Sequence, residues 1–117
     1  MRLIVLTAPT WRNDEAAVLA AMFERGLETV HVRKPGCTKQ AMERLLRELP
    51  VRFYNRIVLH AHYELAETYN LKGIHLPEGI RTEQPAFAEE WKLQFPEQHL
   101  STSLHDIELL QREFPEF

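Results

Sequence analysis

The run Thr29-Val30-His31-Val32 decides the fold class, because it is short and rich in β-branched residues and lies between longer stretches with helical apolar spacing. Similar runs recur along the chain, at Leu3-Ile4-Val5-Leu6, Ile57-Val58-Leu59-His60, Gly73-Ile74-His75-Leu76 and, more weakly, His99-Leu100-Ser101-Thr102-Ser103. Continuous hydrophobicity is typical of strands buried on both faces of a parallel sheet. The sequence therefore predicts an α/β protein in which strands and helices alternate.

The stretches between these runs carry helix boundaries. Asp14 is a predicted N-cap, and Gly26 is the predicted left-handed end of the same helix. The second helix is predicted to begin near Thr38 and to end at Pro50. Further helices are predicted at 64–69, 82–91 and 107–114.

Composition limits the classes of function. A chain of 117 residues with 44% hydrophobic content can form one core, so residues 1–117 are predicted to be a single domain. A formal charge of -3 offers no basic surface for nucleic acid or for an anionic membrane. The single Cys37 excludes an intramolecular disulfide, and the first apolar run is too short for a signal peptide or a membrane span. We expect a cytoplasmic domain with small-molecule or protein partners.

Five strand-helix units fit two architectures, a flavodoxin-like doubly wound sheet or the first five units of a (β/α)₈ TIM barrel. A flavodoxin-like protein has a phosphate-binding loop after its first strand, and Thr7-Ala8-Pro9-Thr10-Trp11 does not resemble one. A complete barrel typically has about 250 residues. The barrel interpretation therefore predicts a partial barrel that forms a homo-oligomer or lacks a C-terminal half, because open strand edges need a partner.

Several polar side chains lie at the predicted strand ends, where parallel α/β proteins place their chemistry. They are His31, Arg33, Lys34, His60, His75 and His105. Two adjacent cations suit a phosphate or diphosphate, although a basic pair in such a loop is more often plain surface. The histidines also raise the possibility of zinc, but no pair has the compact spacing of a structural zinc site, and no metal site is expected from the sequence.

Four motifs occur in an order that resembles the thiamine phosphate synthase and TenI family. They are Leu6-Thr7-Ala8-Pro9, His31-Val32-Arg33-Lys34-Pro35, Gly73-Ile74-His75-Leu76 and Ser103-Leu104-His105. The resemblance spans essentially the whole chain and favours the partial barrel. It implies a role in thiamine biosynthesis, where the synthases use Mg²⁺ to join a hydroxymethylpyrimidine diphosphate to a thiazole phosphate, releasing diphosphate. TenI-type relatives interconvert thiazole phosphate tautomers.

The resemblance also implies site residues. The family's Gln-x-Arg-x-Lys motif falls on His31, Arg33 and Pro35, with Lys34 displaced by one place, and the family's Asn-Asp pair falls on His60 and Ala61. The implied substrate-binding residues are thus His31, Arg33, Lys34, His60, His75 and Ser103.

The two Mg²⁺ carboxylates of the family are missing. One position falls on Ala61 and the other near Gly79 or Ile80, so that Glu78 is a weak substitute. Mg²⁺ is therefore possible by resemblance, but its expected ligands are absent.

His105 is the implied catalytic residue, because TenI-type enzymes use a histidine at this position to move a proton, and a neutral imidazole does so without metal. Three functions stay open: a synthase-like transferase, a tautomerase that uses His105, and a non-catalytic truncated barrel module. The thiazole phosphate anchors of the family would lie beyond Phe117.

Overall fold

Strands and helices alternate along the chain in the computed structural model, which describes residues 4–76 and 86–102. The elements are β1 (Ile4–Leu6), α1 (Glu15–Glu24), β2 (Thr29–Val32), α2 (Lys39–Glu48), a 3-10 helix (Val51–Arg56), β3 (Ile57–Leu59), α3 (Glu64–Thr68), β4 (Gly73–Leu76), α4 (Ala86–Gln94) and β5 (His99–Thr102). Within these two ranges, no helix combines the length and apolarity needed to cross a membrane.

The five strands form one parallel sheet in the order β1-β2-β3-β4-β5. A flavodoxin-like sheet would instead place its first strand between the second and third. Strands that neighbour one another in chain order are the arrangement of a (β/α) barrel. The partial-barrel prediction is confirmed, and the flavodoxin-like alternative is wrong.

The two faces of this sheet have different surroundings. We call one the helix-covered face; it carries buried side chains that join the core with Phe23 and Leu46, namely Val30, Val32, Ile57, Leu59 and Ile74. We call the other the open face; it carries Ile4 and Leu6, which are 58% and 55% exposed. Successive residues of a strand point to opposite faces, so both environments come from the same short runs.

The helix boundaries follow from local chemistry. Thr38 caps α2, because its hydroxyl accepts a hydrogen bond from the Ala41 N–H at 3.1 Å. Asp14 occupies the N-cap of α1 as predicted, but its carboxylate pairs with Arg12 at 3.0 Å instead of capping the helix. Gly26 follows α1 with φ of 98°, the left-handed conformation that ends a helix.

The 3-10 helix Val51–Arg56 was not predicted from the sequence. Pro50 ends α2 and begins this helix, which turns Phe53 and Tyr54 into the core. Phe53 stacks on Phe23 with ring centroids 4.9 Å apart, and the Tyr54 hydroxyl donates to the Leu46 carbonyl at 2.6 Å. The 3-10 helix thus packs the chain just before β3 against the layer of helices.

Candidate functional site

Three of the predicted strand-end histidines converge on the open face. His31 pairs in register with Val58, and His60 lies two residues beyond Val58, on the same face. His75 lies two residues beyond Gly73, which also pairs with Val58. Strand register therefore brings together side chains from β2, β4 and the exit of β3.

The three imidazoles are in direct contact. His31 Nδ1 and His60 Nε2 are 2.9 Å apart, a hydrogen bond in which either ring can be the donor. The His60 and His75 rings stack with centroids 4.3 Å apart. One nitrogen from each ring lies within 4.8 Å of the others. We call His31, His60 and His75 the histidine cluster.

Ser101 of β5 fixes one ring of the cluster. It pairs in register with His75, and its hydroxyl lies 2.6 Å from His75 Nδ1. When Nδ1 carries the proton and donates it to Ser101, the lone pair of the neutral ring lies on Nε2. Ser101 was not predicted from the sequence, because its contact with His75 depends on the register of two strands.

The environment of the cluster disfavours positive charge. Burial, together with repulsion from His75 and His99, lowers the pKa of His31 to about 4. Burial likewise lowers the pKa of His60 to about 4, with added repulsion from His75, His31 and Arg33. The pKa of His75 is lowered by burial and by His99. At neutral pH, the rings are therefore uncharged bases.

Gly73 allows β4 and β5 to approach below the cluster. A Cβ atom at Gly73 would lie 1.8 Å from the backbone oxygen of His99, its register partner. No side chain fits there unless the two strands separate. The glycine of the Gly73-Ile74-His75-Leu76 motif thus sets the position of His75 relative to β5.

The predicted phosphate-binding pair, Arg33 and Lys34, divides between two environments. Arg33 is exposed, and its charge acts on His60 of the cluster. Its backbone is held by the residue that follows β1, because the Arg33 N–H donates to the Thr7 hydroxyl at 3.0 Å. Arg33 is thus a cation on a fixed backbone at the edge of the histidine cluster.

Lys34 is buried, with a side chain that is 0% exposed. Its ammonium donates to the carbonyls of Ala8 and Thr10 at 2.6 and 2.7 Å and forms an ion pair with Glu15 at 2.6 Å. These three contacts match the three N–H donors of a lysine. We call this arrangement the Lys34 anchor. Contact of Lys34 with a ligand stays a prediction, whereas its structural role was missed from the sequence.

His62 lies apart from the cluster although it follows His60 by two residues. Its Nε2–H donates to the Cys37 carbonyl at 2.8 Å. Its φ of 52° places it in the left-handed region, which is uncommon for residues other than glycine. This backbone conformation turns the ring toward the loop after β2.

The described residues around the cluster do not fit Mg²⁺. The family's first carboxylate position is Ala61, whose methyl group cannot bind a cation. The nearby ligand atoms are imidazole nitrogens, whereas Mg²⁺ prefers oxygen ligands.

Five predicted positions lie outside the described residues. They are the substrate-binding Ser103, the catalytic His105, the substitute ligand Glu78, and Gly79 and Ile80. The predicted helix at 107–114 lies there as well.

Comparison with known proteins tests the family resemblance that the sequence motifs indicate. No family model matches the chain, and no curated protein matches it in sequence. Among solved structures, the chain is similar to the crystal structure of thiamine phosphate pyrophosphorylase from Bacteroides thetaiotaomicron, with 38% identity and a TM-score of 0.76. The match covers 96% of this chain and 52% of that protein, so the chain spans about half of its length. The resemblance to the thiamine phosphate synthase and TenI family is therefore confirmed across these βα units.

Proposed function

We propose that the strand-end edge of the open face binds a phosphorylated pyrimidine or thiazole of thiamine biosynthesis. The observation that carries this proposal is the convergence of His31, His60 and His75, which occupy family motif positions on β2, at the exit of β3 and on β4. A ligand at this edge would contact uncharged imidazoles on one side and the exposed cation of Arg33 on the other.

Each group has a definite role in this proposal. Arg33 offers two parallel N–H donors, a geometry that matches a phosphate or diphosphate oxygen pair. The imidazoles offer hydrogen bonds to ring nitrogens and to the amino group of a pyrimidine. Lys34 acts as a positioning residue, because the Lys34 anchor holds the β1–α1 loop against the end of β2.

The reaction that we propose for the completed barrel is synthase-like. It would join a hydroxymethylpyrimidine diphosphate to a thiazole phosphate and release diphosphate. The similarity to a thiamine phosphate pyrophosphorylase supports this reaction. We expect the protein to act as a cytoplasmic transferase whose barrel is completed by a second copy or by a further polypeptide segment.

One observation favours a second candidate, a tautomerase of the TenI type. Ala61 stands where the synthases place a carboxylate, so the diphosphate would leave without that ligand's help. Tautomerisation of a thiazole phosphate needs only a base that removes a proton and returns it to another atom. His105 is the predicted base for this step.

Ligand binding tests the proposed site directly. We expect Arg33→Ala to weaken binding of pyrimidine diphosphate or thiazole phosphate about ten- to a hundredfold, the effect of losing one charge-assisted contact. Isothermal titration of the purified chain in its native assembly measures this. Arg25→Ala is the matched control, because Arg25 is an exposed arginine at the end of α1. Equal affinities for the original chain and Arg33→Ala would show that Arg33 does not contact the ligand.

Turnover separates the two reactions. Both substrates are supplied with Mg²⁺ or with chelator, to the original protein and to His105→Ala. Thiamine phosphate formed only with Mg²⁺ and unaffected by His105→Ala would establish the synthase. Chelator-resistant exchange of the thiazole proton, abolished by His105→Ala, would establish the tautomerase.

A further inference from the structure

We infer that His31, His60 and His75 form a binding site for a divalent transition-metal cation of the zinc class, built from three imidazoles. This inference goes beyond the proposed function and does not depend on it. It begins from geometry, since a nitrogen of each ring lies within 4.8 Å of the other two. The three residues lie on β2, at the exit of β3 and on β4, so the sheet itself sets their spacing.

One pair of nitrogen atoms already has nearly the separation that an ion requires. Nitrogen ligands lie about 2.0–2.1 Å from zinc, and two of them at tetrahedral angles are therefore roughly 3.3 Å apart. His31 Nδ1 and His60 Nε2 are already 2.9 Å apart, with a proton between them. Replacing that proton by a cation asks the two rings to separate by a few tenths of an ångström.

The contact between Ser101 and His75 resembles the hydrogen bond that commonly orients a metal-binding histidine. A ligating histidine usually donates its other ring N–H to a neighbouring oxygen, which fixes the tautomer and the ring orientation. The Ser101 hydroxyl, 2.6 Å from His75 Nδ1, is placed to accept that N–H.

The donor set selects the class of cation. Among the described residues, the cluster contains imidazoles and no carboxylate or thiolate. Imidazole suits Zn²⁺, Co²⁺, Ni²⁺ and Cu²⁺, whereas Mg²⁺ and Ca²⁺ prefer oxygen. Three protein ligands leave a fourth position for water or an anion, as in catalytic zinc sites. The open face of the sheet would give such a ligand access.

Cobalt titration tests the site. The chelator-treated chain is titrated with Co²⁺ alone, without any organic ligand, and visible absorption is recorded. We expect saturation at one ion per chain with the intense bands of tetrahedral cobalt, and displacement of cobalt by Zn²⁺. Because no substrate is present, the cobalt result does not depend on whether Arg33 binds phosphate.

Variants assign the ligands. Replacing His31, His60 or His75 by alanine should lower cobalt affinity more than a hundredfold, and Ser101→Ala about ten- to a hundredfold, as for other outer-shell partners. His62→Asn is the matched control, because asparagine tolerates a positive φ and His62 points to Cys37. Its affinity should equal that of the original chain.

A measurement on the unsubstituted chain identifies the ligands even if the alanine variants fail to fold. Long-range ¹H–¹⁵N spectra resolve the ring nitrogens of each histidine, and Zn²⁺ should shift one nitrogen of His31, His60 and His75 while His62 stays unchanged. Absence of cobalt and zinc binding up to millimolar concentration would overturn the inference. Shifts confined to other histidines, or an equal loss of affinity in His62→Asn, would do the same.

Discussion

The helix-covered face and the open face of the sheet arise from alternate residues of the same strands, yet they have opposite properties. On β2, Val30 and Val32 are 0% exposed beneath the helices, while His31 between them belongs to the histidine cluster on the open face. On β3, Leu59 joins the core and His60 beyond it does not. The helix-covered face provides stability through apolar burial. The open face carries the histidine cluster together with the exposed apolar side chains of Ile4 and Leu6.

The sharpest test of this contrast lies at the end of β2, where Arg33 and Lys34 are adjacent. Lys34→Ala should destabilise the chain by about 3–5 kcal/mol, because it leaves the Glu15 carboxylate buried without its partner. Arg33→Ala should change stability by no more than about 0.5 kcal/mol, since Arg33 is exposed. Urea denaturation measures both. A loss for Lys34→Ala as small as that for Arg33→Ala would show that the Lys34 anchor does not stabilise the fold.

A matched pair of leucines compares the two faces directly. Leu59→Ala should cost about 2–5 kcal/mol, as for a fully buried leucine. Leu6→Ala on the open face should cost about 0.5 kcal/mol or less in the isolated chain. If a second copy covers the open face, the Leu6→Ala loss should grow with protein concentration, and sedimentation velocity should detect a dimer that the variant weakens. Equal losses at the two positions in a monomeric chain would contradict the two-face description.

A third test of the comparison is a pH dependence of stability that comes from the cluster. In the metal-free chain, the pKa values of His31 and His60 are lowered to about 4, whereas an unfolded histidine has a pKa of about 6.5. Between these values the unfolded chain binds more protons, so the free energy of unfolding should fall as pH decreases from about 6.5 to about 4. Above about 6.5 this contribution should be complete and constant.

Urea denaturation with chelator at several pH values measures the slope. The double variant His31→Asn with His60→Asn should show a shallower slope in this window, and the difference removes the common contribution of the carboxylates. Identical slopes would mean that the two imidazoles titrate alike in the folded and unfolded chains.

The elements that could be predicted from the sequence are those set by local pattern. The bounds of β2 and β4 agree with the runs Thr29–Val32 and Gly73–Leu76, because a short β-branched or apolar run has few alternatives to a buried strand. The start of α2 follows Thr38, since a capping hydroxyl acts on its own helix. The 3-10 helix at Val51–Arg56 was missed because it depends on the packing of Phe53 against Phe23.

The site was predictable only in part. The rule that chemistry lies at strand ends selected His31, His60 and His75, but their mutual contact depends on register, which residue spacing along the chain does not reveal. The role of Lys34 was hidden for the same reason, because Glu15 lies on a different element and the two carbonyls belong to another loop. Sequence patterns indicate which polar residues lie at the strand ends. Tertiary contacts decide which of these residues already form hydrogen bonds or ion pairs within the protein.

The Lys34 anchor has a consequence for the entropy of ligand binding. Ordering a long side chain at an interface costs about 0.5–1.5 kcal/mol, and ordering a loop adds to this cost. In this chain the β1–α1 loop is fixed during folding, because the ammonium holds the carbonyls of Ala8 and Thr10 and the Glu15 carboxylate at once. A ligand that bound beside Arg33, as proposed, would meet a preorganised loop, so its binding would not have to include the entropic cost of ordering that loop.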